Sequence, residues 1–374
     1  MVKYLILLVY LNIATGLMHA FSLSDGIQRA LQNNKEVEMA EIKFAIAKSK
    51  EGEAYGNFLP NVSGSWQMGK QKNEVQGQPS NESTNQNTKT ISVEQKIFNG
   101  FQSFYQAESA GHLIKAAHAD YIQTKAGIAF SAVEAYVNFY VAQKALDIQQ
   151  KNLAIAKEVL NKINERLRLK VISKNEAAQY ESDHLGRFSD VLEAKKELFK
   201  SLTVFESIMG KENVTLDDVK VPNVTFNISE EVQTVTLTNQ KLIKLNNLKK
   251  SSRAELARSR GALLPKVTLV GELKHQDDVL YLGDKDLTSK QYYVNVSVPI
   301  FQNGQRFVKI LNAQDKYALS EKEYEIGIET IQKELKSSIQ TYTYSQDLLR
   351  SYDDLKQMAM KRVDRANSAR ELFL

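Results

Sequence analysis

Histidine, carboxylate and cysteine side chains carry most catalysis and metal binding, so their positions are the first test of this chain. Five histidines occur: His19, His112, His118, His184 and His275. His112 and His118 lie six residues apart, on different faces of a helix. No His-Glu-x-x-His pair, phosphate-cradling glycine loop or nucleophile elbow is present. Gly210-Lys211 lacks the earlier glycine and the following Ser or Thr of a nucleotide loop. There is no cysteine, which excludes disulfides, Cys-ligated zinc, iron–sulfur clusters, thiol catalysis and a lipid on an N-terminal cysteine. The residues predict no enzyme, no cofactor and no metal site. Nothing among them is built to hold ATP, so any transport energy must come from outside the chain.

The elements that remain must therefore do something other than chemistry. The chain has 374 residues and a net charge of +5. Its basic residues are interleaved with nearly as many acids, which gives no nucleic-acid footprint. A charged fraction of 25% excludes a polytopic helical membrane protein. Met1 to Ala20 reads as a signal peptide, with Lys3 at its start and an apolar run from Tyr4 to Leu17. That run is shorter than the roughly 20 residues a spanning helix needs. A retained membrane anchor is the competing reading of this segment.

The organising feature is an internal repeat. Gly56-Asn57-Phe58-Leu59-Pro60 matches Gly261-Ala262-Leu263-Leu264-Pro265 at an offset of 205, and Ile97-Phe98 matches Ile300-Phe301 at 203. Asn99-Gly100 answers Asn303-Gly304 with one extra residue, and Tyr121 and Gln143 answer Tyr324 and Gln346. The domain reading is a first repeat over 21–210, a linker over 211–236 and a second repeat over 237–374.

Each copy has one plan. Apolar residues at three- and four-residue steps predict a helix from about Ser24, as N-cap, to Tyr55, stopped by Gly56 and Pro60. A hairpin follows over 58–98. Val62, Gly64, Trp66 and Met68 alternate with polar residues, as do Ile91, Val93 and Ile97, around a polar loop from Lys70 to Lys89. The second hairpin, over 263–301, repeats this, with Val267, Leu269 and Leu273 in one strand and Tyr292 to Ile300 in the other. After the first hairpin, Gln102 to about Leu169 contains no proline and predicts one very long helix, close to 100 Å if continuous.

The strands are about as long as a tilted strand needs to cross a bilayer. Lipid offers no partner for a strand edge, so a membrane sheet must close. Four strands cannot close around water. If these strands span a membrane, several copies of the chain must pool them.

The two copies of a helix, Leu-Pro, a hairpin and Ile-Phe followed by Asn-Gly strongly resemble the TolC-like outer membrane efflux protein family. The residues that carry the likeness are Leu59, Pro60, Phe98 and Gly100 in one copy and Leu264, Pro265, Phe301 and Gly304 in the other. It covers nearly all of the chain after the leader.

The resemblance implies a mainly α fold with membrane β. Long antiparallel helical hairpins would form a periplasmic α-barrel, and a homotrimer would close a twelve-stranded barrel in the outer membrane. It implies a passive exit duct of a tripartite efflux or type I secretion system. The partners would be a periplasmic adaptor (a membrane fusion protein), an inner-membrane transporter and outer membrane lipid. Lys211 to Val235 would begin an equatorial region.

The segment Ser173 to Gln179 resembles the family's region after the periplasmic helix turn, where acidic residues can narrow and charge the entrance. That makes Glu176, with Lys174 and Asp183 beside it, the candidate pore-lining residues; the residues themselves favour a solvated helix charge for Glu176. Two departures stand out. The family usually has a glycine near this turn, whereas Arg168-Leu169-Lys170-Val171 has none, so Lys170 is expected in a strained or different turn. By the 203 offset Leu374 answers Val171, so a returning helix of about 40 residues is expected beyond the last residue given. Its loss would impair closure. The competing functions are a periplasmic coiled-coil adaptor or scaffold and a truncated, non-functional remnant.

Overall fold

The structure, a computed structural model, describes residues 22–71, 84–210, 238–277, 286–301 and 304–371. The leader and the equatorial segment expected at 1–20 and 211–236 lie outside the described residues. In chain order the elements are α1 (Leu23–Asn33), α2 (Lys35–Gly56), β1 (Asn61–Gln71), β2 (Thr84–Phe98), α3 (Gln102–Arg168), α4 (Lys174–Met209), α5 (Gln240–Gly261), β3 (Lys266–Asp277), β4 (Leu287–Ser297) and α6 (Gln305–Glu371). Among the described residues, no helix is long and apolar enough to cross a membrane.

The single helix expected from Ser24 to Tyr55 is two helices. Ser22, not Ser24, caps the first, its hydroxyl accepting from the Asp25 amide. Asn34 is extended, at φ −80° and ψ 122°. Its side-chain carbonyl accepts from the Glu36 amide at 2.7 Å, so it serves as a fresh start for α2. A short polar side chain can satisfy the backbone this way, and the apolar periodicity on either side does not report it.

The strands also differ at their ends. β2 begins at Thr84, inside the polar stretch expected as loop, and β4 ends at Ser297, short of Ile300. Backbone pairing continues where the side chains no longer alternate. Gly69 pairs with Gln86 and Lys70 with Asn85.

The chain forms two compact units. Residues 1–42 and 121–225 make one. Its core is Ala30, Ala132, Tyr136, Phe139, Phe205 and Met209, with Leu23, Ile27, Leu198 and Leu202 packed against it. Tyr136 and Phe205 are almost wholly enclosed. Alanines at helix contacts let the aromatic rings of α3 and α4 meet, Phe139 and Phe205 at 5.0 Å between centroids.

Residues 43–120 and 226–374 make the other unit. It holds a four-stranded antiparallel sheet in the order β1-β2-β3-β4. Its helices meet through small and polar residues. Ser109 and Ser251 hydroxyls lie 2.8 Å apart, His112 Nδ1 is 3.2 Å from Asn247 Oδ1, and the Lys244 ammonium donates to Asp120 at 2.7 Å. Along α6 the packing ends: every residue from 340 to 365 is exposed.

Candidate functional site

The hairpins are held by matched turns. In copy one the amides of Asn57, Phe58 and Leu59 donate to the carbonyls of Ala54, Tyr55 and Gly56. In copy two Ala262, Leu263 and Leu264 donate to Ser259, Arg260 and Gly261 in the same three steps. Leu59-Pro60 and Leu264-Pro265 thus leave a helix that ends in one 3₁₀-like turn, and proline prevents its continuation.

At the other end of each hairpin stands a left-handed glycine, Gly100 at φ 69° and Gly304 at φ 67°. Gly100 lies against the end of α5. A Cβ there would sit 2.0 Å from the Gly261 carbonyl oxygen, and a Cβ on Gly261 would sit 2.1 Å from that of Gly100. The equivalents, Gly304 and Gly56, meet nothing within 4 Å. Phe301 and Leu59 are well exposed, and Phe98 packs edge-on against Phe101.

Cross-strand partners share a face of a sheet, so the register sorts the side chains. One face carries the row Val62, Val93, Gly271, Tyr292 and the row Gly64, Ile91, Leu273, Lys290. Nearer the strand bases it carries Leu269, Val294, Val267 and Val296. The opposite face carries Ser63, Ser92, Glu272 and Gln291, then Ser65, Thr90, Lys274 and Ser289. Among the described residues nothing covers the apolar face: Trp66 is 64% exposed, Val294 60% and Tyr292 82%.

Burying such side chains stabilises by about 1.5–3 kcal/mol each, so this face is incomplete in water. Among the described residues β1 and β4 pair on one side only, leaving two rows of backbone groups open. The strands have 11, 15, 12 and 11 residues. A tilted membrane strand needs about 9–11.

The candidate entrance residues sit at the turn between α3 and α4. Lys170 is left-handed at φ 58°. Its amide donates to Leu167 O, and that of Val171 donates to Arg166 O, both at 2.9 Å, which is a Schellman end with lysine where glycine is usual. The expectation of an unusual turn at Lys170 is met.

Ser173 caps α4, and Glu176 completes a capping box. The Ser173 hydroxyl accepts from the Glu176 amide, and the Glu176 carboxylate accepts from the Ser173 amide at 3.1 Å. Lys174 is the first residue of α4, and Asp183 pairs with Arg187 at 3.5 Å. The spacing Ser-x-x-Glu was legible in the sequence and points to this capping role. One grouping was not legible there: His275, Asp277 and Asp286 converge at the outer end of the second hairpin.

Residues 26–169 match the family described as outer membrane efflux protein. Over those residues the chain is similar to the outer membrane efflux proteins. It is 18% identical over 322 residues to the outer membrane efflux protein BepC of Brucella suis biovar 1 (strain 1330), covering 85% of this chain and 69% of that protein. The fold matches the CmeC outer membrane channel of Campylobacter jejuni with a TM-score of 0.75 at 20% identity, over 91% of this chain and 76% of that one. It matches the open state of the MtrE outer membrane channel of Neisseria gonorrhoeae with a TM-score of 0.69 at 15% identity, over 84% and 72%. The family match falls within the first repeat.

Proposed function

We propose that this chain is the outer-membrane exit duct of a tripartite efflux or type I secretion system, a passive conduit closed by three copies. The observation that carries the reading is the sheet: one apolar face and two edge strands are left unsatisfied by the described residues of the chain. Lipid would cover the face, and sister copies would pair the edges. The helices would then extend into the periplasm, where an adaptor and an inner-membrane transporter supply cargo and energy.

The repeat specifies how the edges would join. Within one chain β2 pairs with β3, Ile91 beside Leu273 and Val93 beside Gly271. The repeat offsets carry β2 onto β4 by 203 and β3 onto β1 by 205. The same seam between subunits would therefore set Val294 beside Met68 and Val296 beside Trp66. Each pair keeps apolar side chains on the apolar face. Gly304 would then meet Gly56 of a sister subunit as Gly100 meets Gly261, which gives both open glycines an occupant.

The chain has no cysteine, so paired substitutions test this cleanly. Met68→Cys with Val294→Cys should give an oxidised, reducible trimer in outer-membrane fractions. Met68→Cys with Tyr293→Cys, whose side chains fall on opposite faces, should not. A water-soluble periplasmic monomer lacking the cross-link would instead support the scaffold reading. At the α3–α4 turn, Lys174, Glu176 and Asp183 would ring the periplasmic mouth, where carboxylates select cations. Asp183→Asn should lower the cation preference of the conductance. Glu176, occupied as a cap, should act mainly through stability.

A further inference from the structure

We propose that His275, Asp277 and Asp286 form a binding site for a first-row divalent cation of the zinc type, at the outer end of the second hairpin. The inference concerns this chain's own residues and does not depend on the duct reading. Each residue offers one ligand atom, and these atoms lie within 4.8 Å of one another. The His275 Nε2 and an Asp277 carboxylate oxygen are in direct contact at 3.0 Å, a pair that would open to about 3.3–3.5 Å around a tetrahedral ion bound at about 2.0–2.2 Å.

The sheet builds this arrangement from its register. His275 and Asp277 are two apart on β3, hence on one face. Asp286 immediately precedes β4, and the hairpin returns it to them.

The supporting contacts come from the neighbouring strands. Thr288 is the cross-strand partner of His275, and its hydroxyl lies 3.0 Å from Nδ1. If Nδ1–H donates to that hydroxyl, Nε2 is left with its lone pair toward the carboxylates. This is how a metal-binding imidazole is commonly held. Asn87 is the cross-strand partner of Asp277 and donates to its second carboxylate oxygen at 2.7 Å. Trp66 in turn donates its indole N–H to the Asn87 carbonyl. Hydrogen bonds contributed by β1, β2 and β4 thus end on two of the three ligands, both on β3.

Two carboxylates and an imidazole lone pair repel one another unless a proton or a metal cation stands between them, and a divalent cation can hold all three at once. Lys89, cross-strand from His275, supplies one positive charge nearby, less than the two carboxylates carry. One imidazole nitrogen with two carboxylates suits zinc. Calcium and magnesium prefer all-oxygen shells, and a soft copper(I) site would need sulfur. His275 and Asp277 are partly exposed, so water can complete the coordination. A bound ion would tie the end of β3 to the start of β4.

The chain contains one tryptophan, which makes Trp66 a built-in reporter. Zinc is titrated into the purified full-length chain in detergent, followed by calorimetry and by Trp66 emission. The expected result is one saturable zinc per chain with a change in emission, and visible absorption bands when cobalt replaces zinc. His275→Ala and Asp277→Asn should each weaken binding at least tenfold. Asp286→Asn, outside the strands, should weaken it at least threefold with unchanged circular dichroism. Asn87→Ala should keep most of the affinity but lose the Trp66 response. Absence of saturable zinc binding to the folded chain would overturn the proposal. So would binding that survives Asp277→Asn and Asp286→Asn, because the ion would then rest on an isolated surface histidine.

Discussion

The two copies of the repeat share their local structure and differ in what satisfies it. Both end a helix with the same three hydrogen bonds, and both turn on a glycine near φ +68°. In copy one that glycine is locked against Gly261, and α3 buries Tyr136 and Phe139 against α4. In copy two Gly304 meets nothing among the described residues, and α6 is exposed from 340 to 365 with Tyr344, Leu348, Tyr352 and Leu355 at helical spacing. Charge divides them as well. α5 carries seven basic residues and one acid, whereas its counterpart α2 carries four and five. Local sequence makes the element; whether a face is covered depends on what lies beside it.

The largest expected effect tests the packed side of this contrast. Phe205→Ala should destabilise by about 3–5 kcal/mol, because it empties the centre of the core. Leu348→Ala on exposed α6 should stay within about 0.5 kcal/mol in the isolated chain. Equal values from denaturant titration would dissolve the distinction between the two regions.

The glycines sharpen it next. Gly100→Ala places a Cβ on a backbone carbonyl at a left-handed position and should cost about 2–5 kcal/mol. Gly304→Ala has open space and should cost only the left-handed strain, about 1–2 kcal/mol, in the monomer. On the proposed function it should nevertheless block assembly. A Gly304→Ala protein that assembles normally would remove Gly56 as its partner.

At the α3–α4 turn, Lys170→Gly should raise stability by about 1 kcal/mol, since only the left-handed strain is relieved. A fall in melting temperature would mean that the lysine side chain holds the turn. The smallest effect belongs to Glu158. A hydrogen bond from Lys162, then its charge, holds this carboxyl below its ordinary range. That contribution is present above the unfolded-state pKa and is lost as pH falls through the folded one. The pair is fully solvated, so Glu158→Gln should leave the melting temperature nearly unchanged between pH 7 and pH 3.

Much of the fold was legible because its periods are strong. Val62 to Met68 alternate cleanly, and the proline-free run after Gln102 is one helix to Arg168. The break at Asn34 was hidden, since one asparagine reads equally as helix or cap until its amide partner is known. The strand start at Thr84 was hidden because ladder bonds use backbone, which polar side chains do not announce. The capping box was readable in Ser173 and Glu176. The convergence of His275, Asp277 and Asp286 depends on β3 and β4 returning in a particular register, which spacing along the chain does not specify.

The Gly100–Gly261 contact sets two main-chain carbonyls where side chains would begin. A side chain added at either position meets an obstacle that no trimming elsewhere can remove, because a carbonyl oxygen cannot be mutated away. Relief by a substitution at a neighbouring side chain is therefore closed to this pair. Gly56 and Gly304, clear of the described residues of one polypeptide, would come under the same restraint only in the proposed assembly.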